Sequence, residues 1–181
     1  FQFNVVWRNF DALLEGAWLT FQLGVVAFAG GALIGLAGAA IKTFGPWPAR
    51  FLVDAYVVFI TNTPALIQIY FLYFGLPEVG IRWSNEACVL IGLTLNAGAY
   101  LTMIMRAGFL SVRATEMEAG ATLGMTRLQQ IRYIVTPHIA KSIYPALANF
   151  FIVILVMGTS VGALIGVDEL TGQAINLSTV N

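Results

Sequence analysis

The chain has 181 residues, of which 59% are apolar and 10% charged, and nine basic side chains balance nine acidic ones. A soluble domain is about 45–50% apolar and about 25% charged, so this composition and a mean hydropathy of +0.82 exclude a water-soluble enzyme and a disordered chain. With no net charge there is no field to draw a nucleic acid, and the single cysteine, Cys88, excludes an intramolecular disulfide or a cysteine metal cluster. The chain reads as an all-α polytopic protein of the lipid bilayer.

Residues 3–15 carry Trp7, Phe10 and Leu14 at roughly helical spacing and predict an interfacial helix with an aromatic belt. Four stretches then lack any charged residue: 16–41, 55–77, 87–105 and 142–167. Each approaches or exceeds the about 20 residues that cross a hydrocarbon core as a helix. The predicted spans are about 16–42, 50–77, 87–110 and 137–158. Lys42 and Arg50 lie in the first loop, and Arg106, Arg113, Arg127, Arg132 and Lys141 border or occupy the third. That bias puts both loops in the cytoplasm and the N-terminus outside. Residues 170–181 are too few and too polar to span alone, so a fifth span is expected to begin about residue 168 and to be cut short. The opening Phe1, with no methionine, fits an end that is also trimmed.

The first span holds Ala27, Gly31, Gly35 and Ala39 at four-residue intervals, a face for close helix packing. The second contains Thr61-Asn62-Thr63-Pro64, where proline should kink or restart the helix. Asn62 or Thr63 is expected to cap the second half, with Pro64 in its first turn and Gln68 on a similar face. The third contributes Asn96 and Tyr100, four apart. The fourth is interrupted at Gly158-Thr159-Ser160. Paired helix breaks near the midplane mark substrate sites in transporters, although proline kinks and hydroxyls bonded to their own helix are also ordinary packing features.

The cytoplasmic loop over about 111–136 is the most informative segment. Thr115 with Glu118 is spaced as a capping box. Ala119, Gly120 and Ala121 make the helix small-sided, and Gly124 suits its stop. A second helix is expected from Thr126, with Pro137 near its last turn. A short, small-faced helix on a basic loop suits insertion into a partner's groove.

Glu118-Ala119-Gly120, three residues, Gly124, nine residues, then Ile134-Val135-Thr136-Pro137 resembles the EAA motif of ABC importer permeases. Leu14-Glu15-Gly16 with Thr20, Thr63-Pro64 with Gln68, Phe71 to Pro77, Ala99-Tyr100 with Arg106, and Thr159-Ser160 with Glu169-Leu170 are similar to the polar amino acid permease branch. The resemblance implies a type I (MetI-like) core of about five spans, paired with a second permease to form the translocation path. It also implies two cytoplasmic ATPase subunits, which carry ATP and Mg, and a periplasmic or extracellular substrate-binding protein. Glu118, Ala119, Gly120, Gly124 and Pro137 would then couple to the ATPase. Asn62, Thr63, Pro64, Gln68, Asn96, Tyr100, Thr159 and Ser160 would line the path. The chain has no G-x-x-x-x-G-K-[ST] phosphate loop, so ATP hydrolysis is expected in a separate chain. No cofactor or metal is expected in this one.

Three positions usually charged in that branch are uncharged here: Thr61-Asn62 in place of Arg-Gly, Met103 in place of an acid, and Met157-Gly158 in place of Lys-Asp. A heterodimer whose other half keeps the charges is the preferred reading, and a less ionic solute the alternative. Two further readings stay open. Gly158-Thr159-Ser160-Val161-Gly162 fits the serine-hydrolase elbow G-x-S-x-G, yet the only histidine, His138, lies about 33 Å away along a continuous helix. Asp54 could serve a proton-coupled carrier, although its position near Arg50 suits a solvated or paired surface acid.

Overall fold

The small-residue stripe decides the fold. In the computed structural model, which describes residues 3–179, helix α2 (Phe10–Phe44) turns that stripe onto helix α5 (Asn85–Ser111). A Cβ at Gly31 would collide with Ala97, and one at Gly35 would lie 2.6 Å from Leu101 Cβ and 2.9 Å from its backbone. Gly38 receives the Thr102 side chain, whose hydroxyl turns back onto Gly98 O at 2.7 Å. The backbones touch because nothing stands between them, which is how small residues pack helices in lipid.

All remaining described elements are helical. Helix α1 (Phe3–Arg8) precedes α2, so the single helix expected over 3–15 is divided at Asn9, and residues 10–15 belong to the long helix. Helix α3 (Trp47–Thr61) follows Gly45-Pro46, with Pro48 in its first turn. Helix α4 (Ala65–Tyr70) continues through a π turn at Phe71–Gly75 and a 3-10 turn at Leu76–Val79. The short helix α6 (Ala114–Thr122) leads into α7 (Arg127–Gln130), a π turn at Ile131–Val135 and α8 (Thr136–Val153). A third π turn (Ile154–Gly158), a 3-10 turn (Val161–Ile165) and α9 (Leu170–Thr179) complete the described chain. Helices α2 and α5 are each long and apolar enough to cross a bilayer, and α3 with the segment through Val79 forms a pair bent by 99° that suits a broken span or a re-entrant loop. The ten residues of α9, where a fifth span was expected to open, rise about 15 Å, half a hydrocarbon core.

Two π turns end two residues before a proline, Pro77 and Pro137. In an α-helix the proline ring would strike the carbonyl four residues back, and the wider turn moves that carbonyl aside. Pro137 therefore does not end a loop helix: it sits in the first turn of α8, inside a helical run from Arg127 to Gly158.

Candidate functional site

The break in the second span is closed by its own polar residues. Asn62 Nδ2 donates to Val58 O at 2.7 Å, Thr63 Oγ1 to Phe59 O at 2.8 Å and Thr61 Oγ1 to Val57 O at 2.7 Å. Asn62 and Thr63 thus bond backward into the last turn of α3 and do not cap α4, as the sequence suggested. Pro64 itself occupies the N-cap of α4, with no side-chain cap bond. The end of a helix leaves carbonyls without intrahelical partners, and bonding backward supplies donors where Pro64 has interrupted the ladder.

Gln68 completes that repair. Its amide donates to Ile60 O at 2.9 Å and to Thr63 O at 2.8 Å, bridging both limbs of the bend. Asn96 Nδ2 approaches Gln68 Oε1 at 3.5 Å, so the polar groups of the second and third spans meet. Beside them a cavity of about 380 Å³ is lined by Thr63, Gln68 and the apolar Phe59, Ile67, Phe71 and Leu95. Tyr100 is not part of this group: its ring packs at a tilt against Phe150 of α8, with centroids 5.3 Å apart.

The irregularity at Gly158-Thr159-Ser160 is the π turn passing into a 3-10 turn. Gly158 packs on Leu93 of α5, and Gly92 packs on Ile69 of α4. Both broken helices therefore lie at one depth on adjacent faces of α5, although the structure does not bring their polar groups together. Thr159 is buried, and Ser160 Oγ accepts from Thr171 Oγ1 at 3.0 Å. His138 Nδ1 lies 3.4 Å from Glu116 Oε2 in the α6 region, paired well away from Ser160.

The sequence did not single out how Thr20 and Glu169 act together. Glu169 is fully buried; its carboxylate accepts from Thr20 Oγ1 at 3.1 Å, Thr171 N at 3.0 Å and Gly172 N at 2.9 Å. A carboxylate on the first amides of α9 is a favourable N-cap. Thr20 Oγ1 in turn accepts from Leu170 N at 3.1 Å, and Gly16 lies against Leu170 and Gln173. The two residues are 149 apart in the chain, so only tertiary structure reveals the latch between α2 and α9.

On the basic loop, α6 begins at Ala114 after Arg113, and the box expected at Thr115 and Glu118 is not formed. The capping box lies at Thr126 and Gln129, at the start of α7. α6 stops at Gly124, whose φ is +74°; Gly124 N bonds Ala121 O at 3.0 Å and Met125 N bonds Gly120 O at 3.1 Å, a Schellman ending. Gly120 faces inward onto Ile134 and Gln130. Glu118, Ala119 and Gly124 are exposed, as is Leu123, an apolar side chain 81% open. Pro137 is also exposed.

Where the C-terminal ends of α2 and α5 meet α3, Lys42 pairs with Asp54. Asp54 is therefore a paired, half-exposed acid. Arg106 lines the same cavity, of about 430 Å³.

The geometry has close counterparts. The chain is 35% identical over 175 residues to the glutamine transport system permease protein GlnP of Escherichia coli (strain K12), covering 96% of this chain and 80% of that one. The octopine transport system permease protein OccM of Rhizobium meliloti is 36% identical over 185 residues, covering 95% and 74%. A chain of the crystal structure of an amino acid ABC transporter with histidines superposes with a TM-score of 0.88 at 32% identity, covering 99% of this chain and 84% of that chain. The fold is that of a type I, MetI-like importer permease. The family model for the binding-protein-dependent transport system inner membrane component matches residues 31–181, and the chain belongs to that family: it is a permease subunit of an ABC transporter and not an enzyme.

Proposed function

We propose that this chain and a second permease line the path of an importer for an amino acid or a related small polar solute. A heterodimer is the preferred arrangement. In this reading the N-terminus is outside, a periplasmic or extracellular binding protein delivers the solute, and two cytoplasmic ATPase subunits bind ATP and Mg. The names of the relatives support the solute class: one is a glutamine permease and another an octopine permease.

The observation that carries the coupling role is the form of α6. It is a nine-residue helix with one glycine packed inward and a glutamate and small residues outward, ended abruptly by Gly124 on the most basic loop. Such a helix can seat in a groove without wide side chains and pass a push through α7 into the continuous run of α8. ATPase closure would move α6, and α8 would carry the motion to the depth of Gly158–Ser160. Along the path, Asn62, Thr63, Gln68, Asn96, Thr159 and Ser160 supply amide and hydroxyl groups in a cavity that lacks the branch's usual charges at Thr61-Asn62, Met103 and Met157-Gly158. The Gln68 amide nitrogen is already engaged, whereas the contact between its Oε1 and Asn96 Nδ2 is long, at 3.5 Å, and is the one a solute could exchange for its own. Tyr100 lines the path through its ring, and Pro64 shapes it.

In vesicles holding the complete transporter, Glu118→Lys and Gly124→Val are expected to leave ATP hydrolysis running while uptake falls at least about tenfold. Normal uptake with normal stimulation of hydrolysis by substrate in both variants would refute the coupling role.

A further inference from the structure

Arg106 is half-buried on α5 and has no ion pair among the described residues. Its Nε is buried and has no hydrogen-bond partner among the described residues. It lines the cavity of about 430 Å³ together with Lys42 and Asp54. Asp54, the only acid of that lining, is held by Lys42, itself 12% exposed. The cavity is thus lined by two cations and one anion, and the charge left without an ion pair is that of Arg106, whose Nε is buried. Met103, one turn earlier on the same face of α5, also lines it and supplies no carboxylate. An Nε–H withdrawn from water needs an acceptor, and an anion that reaches it would also meet the unpaired charge.

We infer that this cavity holds the phosphate of an anionic phospholipid. The chemistry required is a singly or doubly charged oxyanion that accepts from a planar fork of N–H donors, which phosphate suits. The surroundings select the lipid form. The rim carries Val58 and Leu110, which are 60% and 65% exposed on α3 and α5 and offer apolar flanks to acyl chains. Lys42 is in the last turn of α2, and Arg106 lies about 8 Å along α5 from its end at Ser111, the depth of a headgroup region. This rests on the cytoplasmic placement of that end proposed above: the inner leaflet carries the anionic lipids, and basic pockets between helices on that side bind their headgroups.

The test uses the complete transporter, delipidated and reconstituted in equal parts phosphatidylcholine and phosphatidylglycerol. The phospholipid that remains bound after re-extraction is counted by mass spectrometry. Wild type is expected to retain phosphatidylglycerol over phosphatidylcholine by about fivefold, the factor one basic residue supplies near an anionic surface. Arg106→Gln should bring the ratio to about one. Met103→Glu should do the same while preserving the fold, because it places a carboxylate beside Arg106. Equal retention by wild type, or an undiminished preference in both variants, overturns the assignment. So does a preference erased by millimolar inorganic phosphate, which would mark a site for the free anion. Uptake is measured in the same vesicles: a failed importer reading shows as no wild-type uptake, whereas failure of the lipid site alone leaves uptake intact without lipid preference.

Discussion

Replacing Gln68 by leucine tests whether the bend in the second span is held by side-chain repair of its backbone. The substitution keeps volume nearly constant and removes two donors. Thr63 O loses the Gln68 bond of 2.8 Å and has no other donor among the described residues, whereas Ile60 O loses one of 2.9 Å but keeps Thr63 N at 3.3 Å. An orphaned carbonyl away from water costs about 1–3 kcal/mol, and a lost bond with a surviving partner about 1 kcal/mol. The sum is about 2–4 kcal/mol. Asn96→Leu removes only a 3.5 Å contact, and average side-chain hydrogen bonds in membranes are worth about 0.6 kcal/mol. Unfolding in bicelles should therefore rank Gln68→Leu well below Asn96→Leu. Gln68→Glu should be at least as damaging as the leucine, because an ionised carboxylate donates nothing and faces two carbonyl oxygens. Equal effects of the leucine and Asn96 variants would refute the carbonyl accounting. A Gln68→Leu protein of full stability but altered transport affinity would place the side chain's role entirely with the solute.

Gly35→Ala should lower stability by about 1–3 kcal/mol through overpacking, despite alanine's better helix propensity, because the new methyl meets Leu101 Cβ at 2.6 Å and its backbone. Thermal unfolding in detergent measures this, and a neutral result would mean that α2 and α5 can separate freely. Glu169→Gln should release α9 from α2 at a cost of about 2–3 kcal/mol, since an amide cannot accept from Thr20, Thr171 and Gly172 as a carboxylate does. Protease cleavage within 170–179 should quicken, and unchanged cleavage would argue against the latch.

The long helices were legible because a bilayer demands long charge-free runs, and both 16–41 and 87–105 fall inside observed helices. The glycine stripe was legible because small residues at a four-residue interval have one use in lipid. The proline break was equally plain, but its chemistry was not. Sequence preference placed Asn62 and Thr63 as caps for the helix ahead, whereas the backbone at Pro64 left the carbonyls behind them in greater need. The box at Thr115 failed for a related reason: a motif marks where capping can occur, and the helix starts two residues earlier than that cap requires, after Arg113. Two of the π turns precede prolines whose neighbours stay helical, which local pattern does not reveal. The Thr20–Glu169 latch and the Arg106 cavity are products of chain crossing alone.

The seam between α2 and α5 has a mechanical corollary. Backbones that touch leave no slack, and Ala97 and Leu101 already sit on the bare backbone of Gly31 and Gly35. These two helices must travel as a single strut. Shape change during a cycle then falls to the joints described elsewhere in the chain: the 99° elbow at residues 62–64 and the loosened turns on either side of α8.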